Sequence, residues 1–106
     1  MENNKDEIDF SKVIELLKLG YRLARKGWNG KKMCIFLTKG SDVEYKNLKE
    51  HNQNAFICAR SEDFQSQEQI IHINSHIDMI AADGSITIGW QPSQVDMLAD
   101  DWVIVQ

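Results

Sequence analysis

The sequence predicts an α+β domain, a small antiparallel sheet with an N-terminal helix and a short C-terminal helix. Three observations lead there. Phe10, Val13, Ile14 and Leu17 recur at helical spacing near the start. Short apolar runs then alternate with glycine- and Asx-rich breaks, the pattern of strands joined by turns. Ser93-Gln94-Val95-Asp96, directly after Pro92, reads as the start of a second, brief helix.

In the first helix Asp9 supplies the cap, Gly20 the stop, and Ser11, Lys12, Glu15 and Lys18 the outer face. A strand over 21–25 places Tyr21, Leu23 and Arg25 on one side and Arg22 and Ala24 on the other. Gly27 and Gly30 bracket a tight turn, and 33–37 is a mostly buried strand. Residues 39–69 read as a loop or insertion, with a short helix over 42–50 and a strand over 55–59. Gly40-Ser41-Asp42 breaks the preceding strand, and 65–69 is polar and exposed. Residues 70–80 are strand-like again. Asp83-Gly84 signals a two-residue hairpin, with 86–90 as its return strand. Pro92 stops that strand, Ser93 caps a helix over 94–99, and 102–105 closes the sheet. The whole of 1–106 is read as a single domain, with 39–69 as its divergent insertion.

Composition excludes several function classes. A net charge of −4 argues against a nucleic-acid polymer as partner, which calls for a basic face. No apolar run approaches membrane-spanning length, and the polar, acidic first residues are unlike a signal peptide. Cys34 and Cys58 read as reduced core thiols of a cytoplasmic protein, with a disulfide between them as the alternative. All 12 Lys and Arg lie at or before Arg60, and residues 21–32 hold five of them with no acid. That is a local anion-attracting patch on an acidic chain. Pairing of the basic and acidic halves, within the fold or between subunits, explains the asymmetry equally.

Trp28 and Trp90 are candidate stacking faces for a nucleotide base, an interaction worth about 1–3 kcal/mol per base. Trp28 sits in a charged, glycine-bracketed turn, a poor place for a residue that only packs. Trp102, followed by Val103-Ile104-Val105, belongs to the core. Arg25 is the favoured phosphate contact, because its fork suits bidentate oxygen recognition, with Lys26, Lys31 and Lys32 beside it. Asn29 either reads a base or ribose edge or merely shapes an Asn-Gly turn. Ser93 and Asp96 have capping-box spacing, and Asp96 alternatively accepts from ribose hydroxyls. Asp100 and Asp101 are adjacent, point to opposite sides and lack a third partner for acid–base work. His72 and His76 share a strand face but fall short of a zinc ligand set. Phosphate-cradling loops, nucleophile elbows and dinucleotide fingerprints are absent, so neither a catalytic residue nor a cofactor is assigned.

The segment Gly20 to Gly30, containing Arg25-Lys26-Gly27-Trp28-Asn29, resembles the Thoeris anti-defence 2-like family of phages and prophages. So does the tail: His76-Ile77-Asp78-Met79, Ala82-Asp83-Gly84, and Trp90 through Ser93-Gln94-Val95-Asp96 to Trp102. The resemblance implies a sponge that sequesters a nucleotide alarm signal in the bacterial host cytoplasm without cleaving it. Its ligands are glycocyclic ADP-ribose isomers made by a Toll/interleukin-receptor-like enzyme, with cyclic dinucleotides at a separate site in some members. It also implies a homotetramer, a dimer of dimers with pockets at subunit interfaces. Carried over by motif position, the Trp28 and Asn29 turn and the Ser93-Gln94-Val95-Asp96 segment form the cyclic ADP-ribose pocket. With Arg25 and Trp90 from their own chemistry, the expected ligand-binding residues are Arg25, Trp28, Asn29, Trp90, Ser93, Gln94 and Asp96. Gly89 and Gln91 flank Trp90 where relatives more often carry proline and an apolar residue, which implies a differently shaped strand end. Two other classes stand beside this one: a nucleotide-processing enzyme, and a protein-interaction inhibitor of a bacterial defence protein.

Overall fold

Asp9 caps the first helix, its carboxylate accepting from the Ser11 and Lys12 amides. The computed structural model describes residues 7–28 and 32–105. In chain order the elements are α1 (Phe10–Lys18), β1 (Arg22–Arg25), β2 (Cys34–Thr38), β3 (Ser41–Glu44), α2 (Glu50–Arg60), β4 (Ile70–Ile73), β5 (His76–Ile80), β6 (Ile86–Ile88), α3 (Gln94–Leu98) and β7 (Trp102–Val105). Short 3-10 turns cover Lys26–Trp28, Tyr45–Asn47 and Ser61–Asp63. The mixed class, the antiparallel sheet and both terminal helices are as the sequence predicts.

The chain divides into two compact units, Lys39–Ser75 and the remainder on either side of it. In the larger unit five strands pair antiparallel in the order β6-β5-β2-β1-β7. Leu23 faces Ile35 and Ile104 across its two ladders, and Arg25 faces Trp102. These residues therefore share one side of the sheet. Val13 and Leu17 of α1 pack with Leu23, Ile35 and Trp102 as the fully buried core. Gly20, at φ +98°, takes a left-handed conformation that ends α1 and turns the chain into β1. Ile8 exchanges backbone hydrogen bonds with Trp102 and so covers part of the outer edge of β7.

β6 stops at Ile88, two residues before the predicted end at Trp90. Gly89, at φ +80°, turns away there, and its amide donates to the Asp78 carboxylate at 3.0 Å. That carboxylate also accepts from Thr38 Oγ1 at 2.5 Å and lies 3.3 Å from His76 Nε2. At 3% exposure, Asp78 is the buried charged side chain among the described residues. It ties the ends of β2 and β6 to β5.

In the Lys39–Ser75 unit, β3 and β4 form a two-stranded antiparallel sheet. Tyr45, Phe56 and Phe64 make an aromatic cluster with centroids 4.6 to 6.5 Å apart. Here the local expectations need correction. Residues 42–50 are not a helix: β3 and a 3-10 turn occupy most of them, and α2 begins at Glu50. The strand expected over 55–59 lies inside α2. The Gln53 amide clamps that helix by donating to the carbonyls of Tyr45, Lys46 and Leu48. The run 70–80 is two strands of different sheets, so His72 on β4 and His76 on β5 do not share a face. Cys34 is buried and free as expected, whereas Cys58 is exposed on α2 rather than a core thiol.

Candidate functional site: an indole and carboxylate cluster

Arg25 closes β1 directly opposite Trp102, which places its side chain on the helix-covered face beside the start of β7. Its Nε donates to Asp101 Oδ1 at 2.9 Å and its Nη1 to Asp96 Oδ1 at 3.0 Å. Arg25 and Asp96 are both largely shielded, at 18% and 17% side-chain exposure. The bond to Asp101 is the main influence raising the Arg25 pKa, opposed by desolvation and reinforced by Asp96. Desolvation acts upward on Asp96, but hydrogen bonds from the Ser93 amide, Arg25 and the Ser93 hydroxyl together hold its carboxyl below the usual 3.8.

Ser93 and Asp96 form a reciprocal capping box. Ser93 Oγ accepts from the Asp96 amide at 3.0 Å, and Asp96 Oδ2 accepts from the Ser93 amide at 2.9 Å. Proline followed by a capping serine and an acid three residues later explains why so short a helix forms. Trp102 Nε1 donates to the Asp96 carbonyl at 2.9 Å, seating α3 on the core.

Three indoles meet here. Trp102 is fully buried, with Trp28 edge-on at 5.4 Å and 78°, and Trp90 edge-on at 6.1 Å and 81°. Trp28 and Trp90 are each half-buried, so part of each ring stays open while the rest packs on the core. The cluster thus gathers Arg25, Trp28, Trp90, Ser93 and Asp96 around Trp102. Gln94 opens α3 and is exposed. Asn29 and Lys31 lie outside the described residues. Lys26 pairs with Glu7 at 2.5 Å, and Lys32 is exposed at φ 62°.

The sequence does not reveal the role of Asp101, which stands there beside Asp100 as an adjacent acid without a third partner for acid–base work. The missing signal was register: an acid just before β7 meets an arginine at the end of β1 only if those strands pair. A cavity of about 360 Å³ also occurs in the Lys39–Ser75 unit, lined by Leu48, Phe56, Ile71 and Ile73 with His51 and Asn52 as its polar groups. Its walls are mostly apolar and carry no lysine or arginine, so it offers no permanent cation to an anionic group. Among the described residues, no group of three or more His, Cys, Asp or Glu converges as a metal site. No described helix is long and apolar enough to cross a membrane.

Comparison with known proteins identifies the family. Residues 8–105 match the Thoeris anti-defense 2-like domain, a span that takes in both the Trp28 turn and the 93–102 segment. The protein Thoeris anti-defense 2 of Bacillus phage SP01 is 36% identical over 105 residues, covering 95% of this chain and 98% of that protein. The chain therefore belongs to the Thoeris anti-defense 2-like family, and the role that membership carries is anti-defence of the phage type.

Proposed function

We propose that this protein is a sponge: it binds a cyclic ADP-ribose-type immune signal, glycocyclic ADP-ribose, in the host-cell cytoplasm and holds it without cleaving it. The observation that carries the reading is the pair of half-open indoles, Trp28 and Trp90, set around Trp102, whose Nε1 holds the Asp96 carbonyl while Arg25, opposite Trp102, holds the Asp96 carboxylate. Indole faces suit an adenine base, and a carboxylate with spare lone pairs suits ribose hydroxyls. Arg25 is already engaged by two carboxylates, so the cluster fits the nucleoside part of the ligand better than its phosphates. The phosphates fall to exposed Lys32, and to Lys26 where phosphate replaces its surface partner Glu7. Ser93, Gln94 and Asn29 complete the ligand-binding set.

Storage rather than turnover is supported by the engagement of Asp96: Arg25 and the Ser93 amide each occupy one of its oxygens, and its lowered pKa is the opposite of a general acid's. Binding alone must then be tight, since nanomolar capture takes about 12 kcal/mol. One half-open site is too shallow for that, so a second copy closes it in a homo-oligomer, a tetramer arranged as a dimer of dimers. Val95 and Leu98, 67% and 78% exposed on α3 beside the cluster, supply apolar surface for such a contact.

The test is capture and release. Purified protein is mixed with glycocyclic ADP-ribose isomers and, separately, cyclic dinucleotides. Free ligand is then measured by chromatography before and after heat denaturation. Depletion followed by return of intact ligand is expected, with capture lost in Trp28→Ala. Return of a hydrolysed product makes the protein a nucleotide-processing enzyme instead. Absence of any depletion, with anti-defence activity retained, favours direct inhibition of a defence protein.

A further inference from the structure

We propose that Asp101 is a positioning residue: it holds the turn carrying Trp28 and, through Arg25, couples that turn to the Ser93–Asp96 segment. Asp101 makes three contacts here, one with Arg25 at the end of β1 and two with the turn. Oδ1 accepts from Arg25 Nε at 2.9 Å, Oδ2 faces the Gly27 amide at 3.4 Å, and its carbonyl accepts from the Lys26 amide at 3.1 Å. The next residue, Trp102, packs against the Trp28 ring and donates to the Asp96 carbonyl. Asp101 and Trp102 together fix both the backbone beneath Trp28 and the face its indole rests on. Arg25 completes the link, because its second donor reaches Asp96 71 residues away.

The chemistry requires a carboxylate at this position. Two oxygens meet two separate donors, whereas an asparagine has one acceptor oxygen and turns an NH2 group toward Arg25 or the Gly27 amide. Glutamate keeps the charge but carries it one methylene further, so it reaches Arg25 without also holding Gly27. Asp100, next in sequence, is exposed and provides the matched control.

The inference rests on the Trp28 site proposed above, and its test is built to fail separately from it. Asp101→Asn, Asp101→Glu and Asp100→Asn are compared in 15N-labelled protein, where the three tryptophans give three indole N–H signals. The Trp28 signal is assigned from Trp28→Phe. Both Asp101 variants are expected to move or broaden the Trp28 signal and speed exchange of the Gly27 amide, while the Trp90 and Trp102 signals and the thermal midpoint change little. Affinity for glycocyclic ADP-ribose by calorimetry then falls about tenfold in both and stays unchanged in Asp100→Asn. The proposal is overturned if either folded Asp101 variant leaves the Trp28 signal and Gly27 exchange at wild-type values. It is equally overturned if all three indole signals shift together with a lowered thermal midpoint, the pattern of general loosening. A wild-type protein that binds none of the isomers sinks the sponge reading, while the spectroscopic arm still decides the role of Asp101.

Discussion

Trp102 is the residue on which most of the larger unit converges. Its ring meets Phe10 at 5.5 Å, Trp28 at 5.4 Å and Trp90 at 6.1 Å, and its Nε1 holds the Asp96 carbonyl. Trp102→Ala leaves a large void, with an expected loss of about 3–5 kcal/mol measured by urea unfolding. That is a large fraction of a small domain's stability. Trp102→Phe retains most of the packing and loses only the indole donor, so its loss should be distinctly smaller. Asp96 makes a prediction in pH. Its native pKa lies below the 3.8 of an ordinary aspartate. The stability it contributes is therefore fully present above the unfolded-state value and disappears as pH falls through the native one. The thermal midpoint should hold from neutrality to about pH 5 and then drop as acid protonates this carboxyl. Asp96→Asn should start lower at neutral pH and lose less on acidification; an unchanged acid slope would assign the effect to other carboxylates.

At the scale of elements, those with their own punctuation were legible. Asp9 and Gly20 bound α1, Asp83-Gly84 turns β5 into β6, and the Ser93–Asp96 box starts α3. Each depends on hydrogen bonds or dihedrals within a few residues. α2 was misread because its stabilising contacts lie outside its own periodicity. Phe56, Ile57 and Cys58 form a run with strand character. What holds them helical is Gln53 reaching back to three carbonyls and Phe56 packing on Tyr45 and Phe64. Gly40 offers an element-scale test. A Cβ there overlaps the Ile73 carbonyl oxygen and lies 3.0 Å from the Ser75 amide nitrogen. Gly40→Ala should push β3 from β4 and cost about 1–3 kcal/mol by analogy with overpacked interiors, read as faster amide exchange across that hairpin. Wild-type exchange in the variant would show that the hairpin adapts freely.

For the whole molecule, the proposed assembly has a direct measure. Light scattering after size exclusion should return a mass above that of one chain, and Leu98→Glu should lower it while weakening capture of glycocyclic ADP-ribose. A charge placed there without effect on mass would remove α3 from the interface. Bound ligand should also raise the thermal midpoint, since saturation at a hundred times Kd adds about 2.7 kcal/mol to the folded state. The α+β class, the caps and the hairpin were all determined by the sequence alone, since short-range spacing and backbone preference suffice for them; the turn bracketed by Gly27 and Gly30 lies partly outside the described residues. Only the tertiary structure decided that Arg25 serves two carboxylates rather than standing free, that Asp101 joins the cluster, and that Asp78 is buried beneath the strand ends. The reason is distance along the chain. Arg25 meets partners 71 and 76 residues away, and strand order, which local periodicity does not encode, is what brings them together.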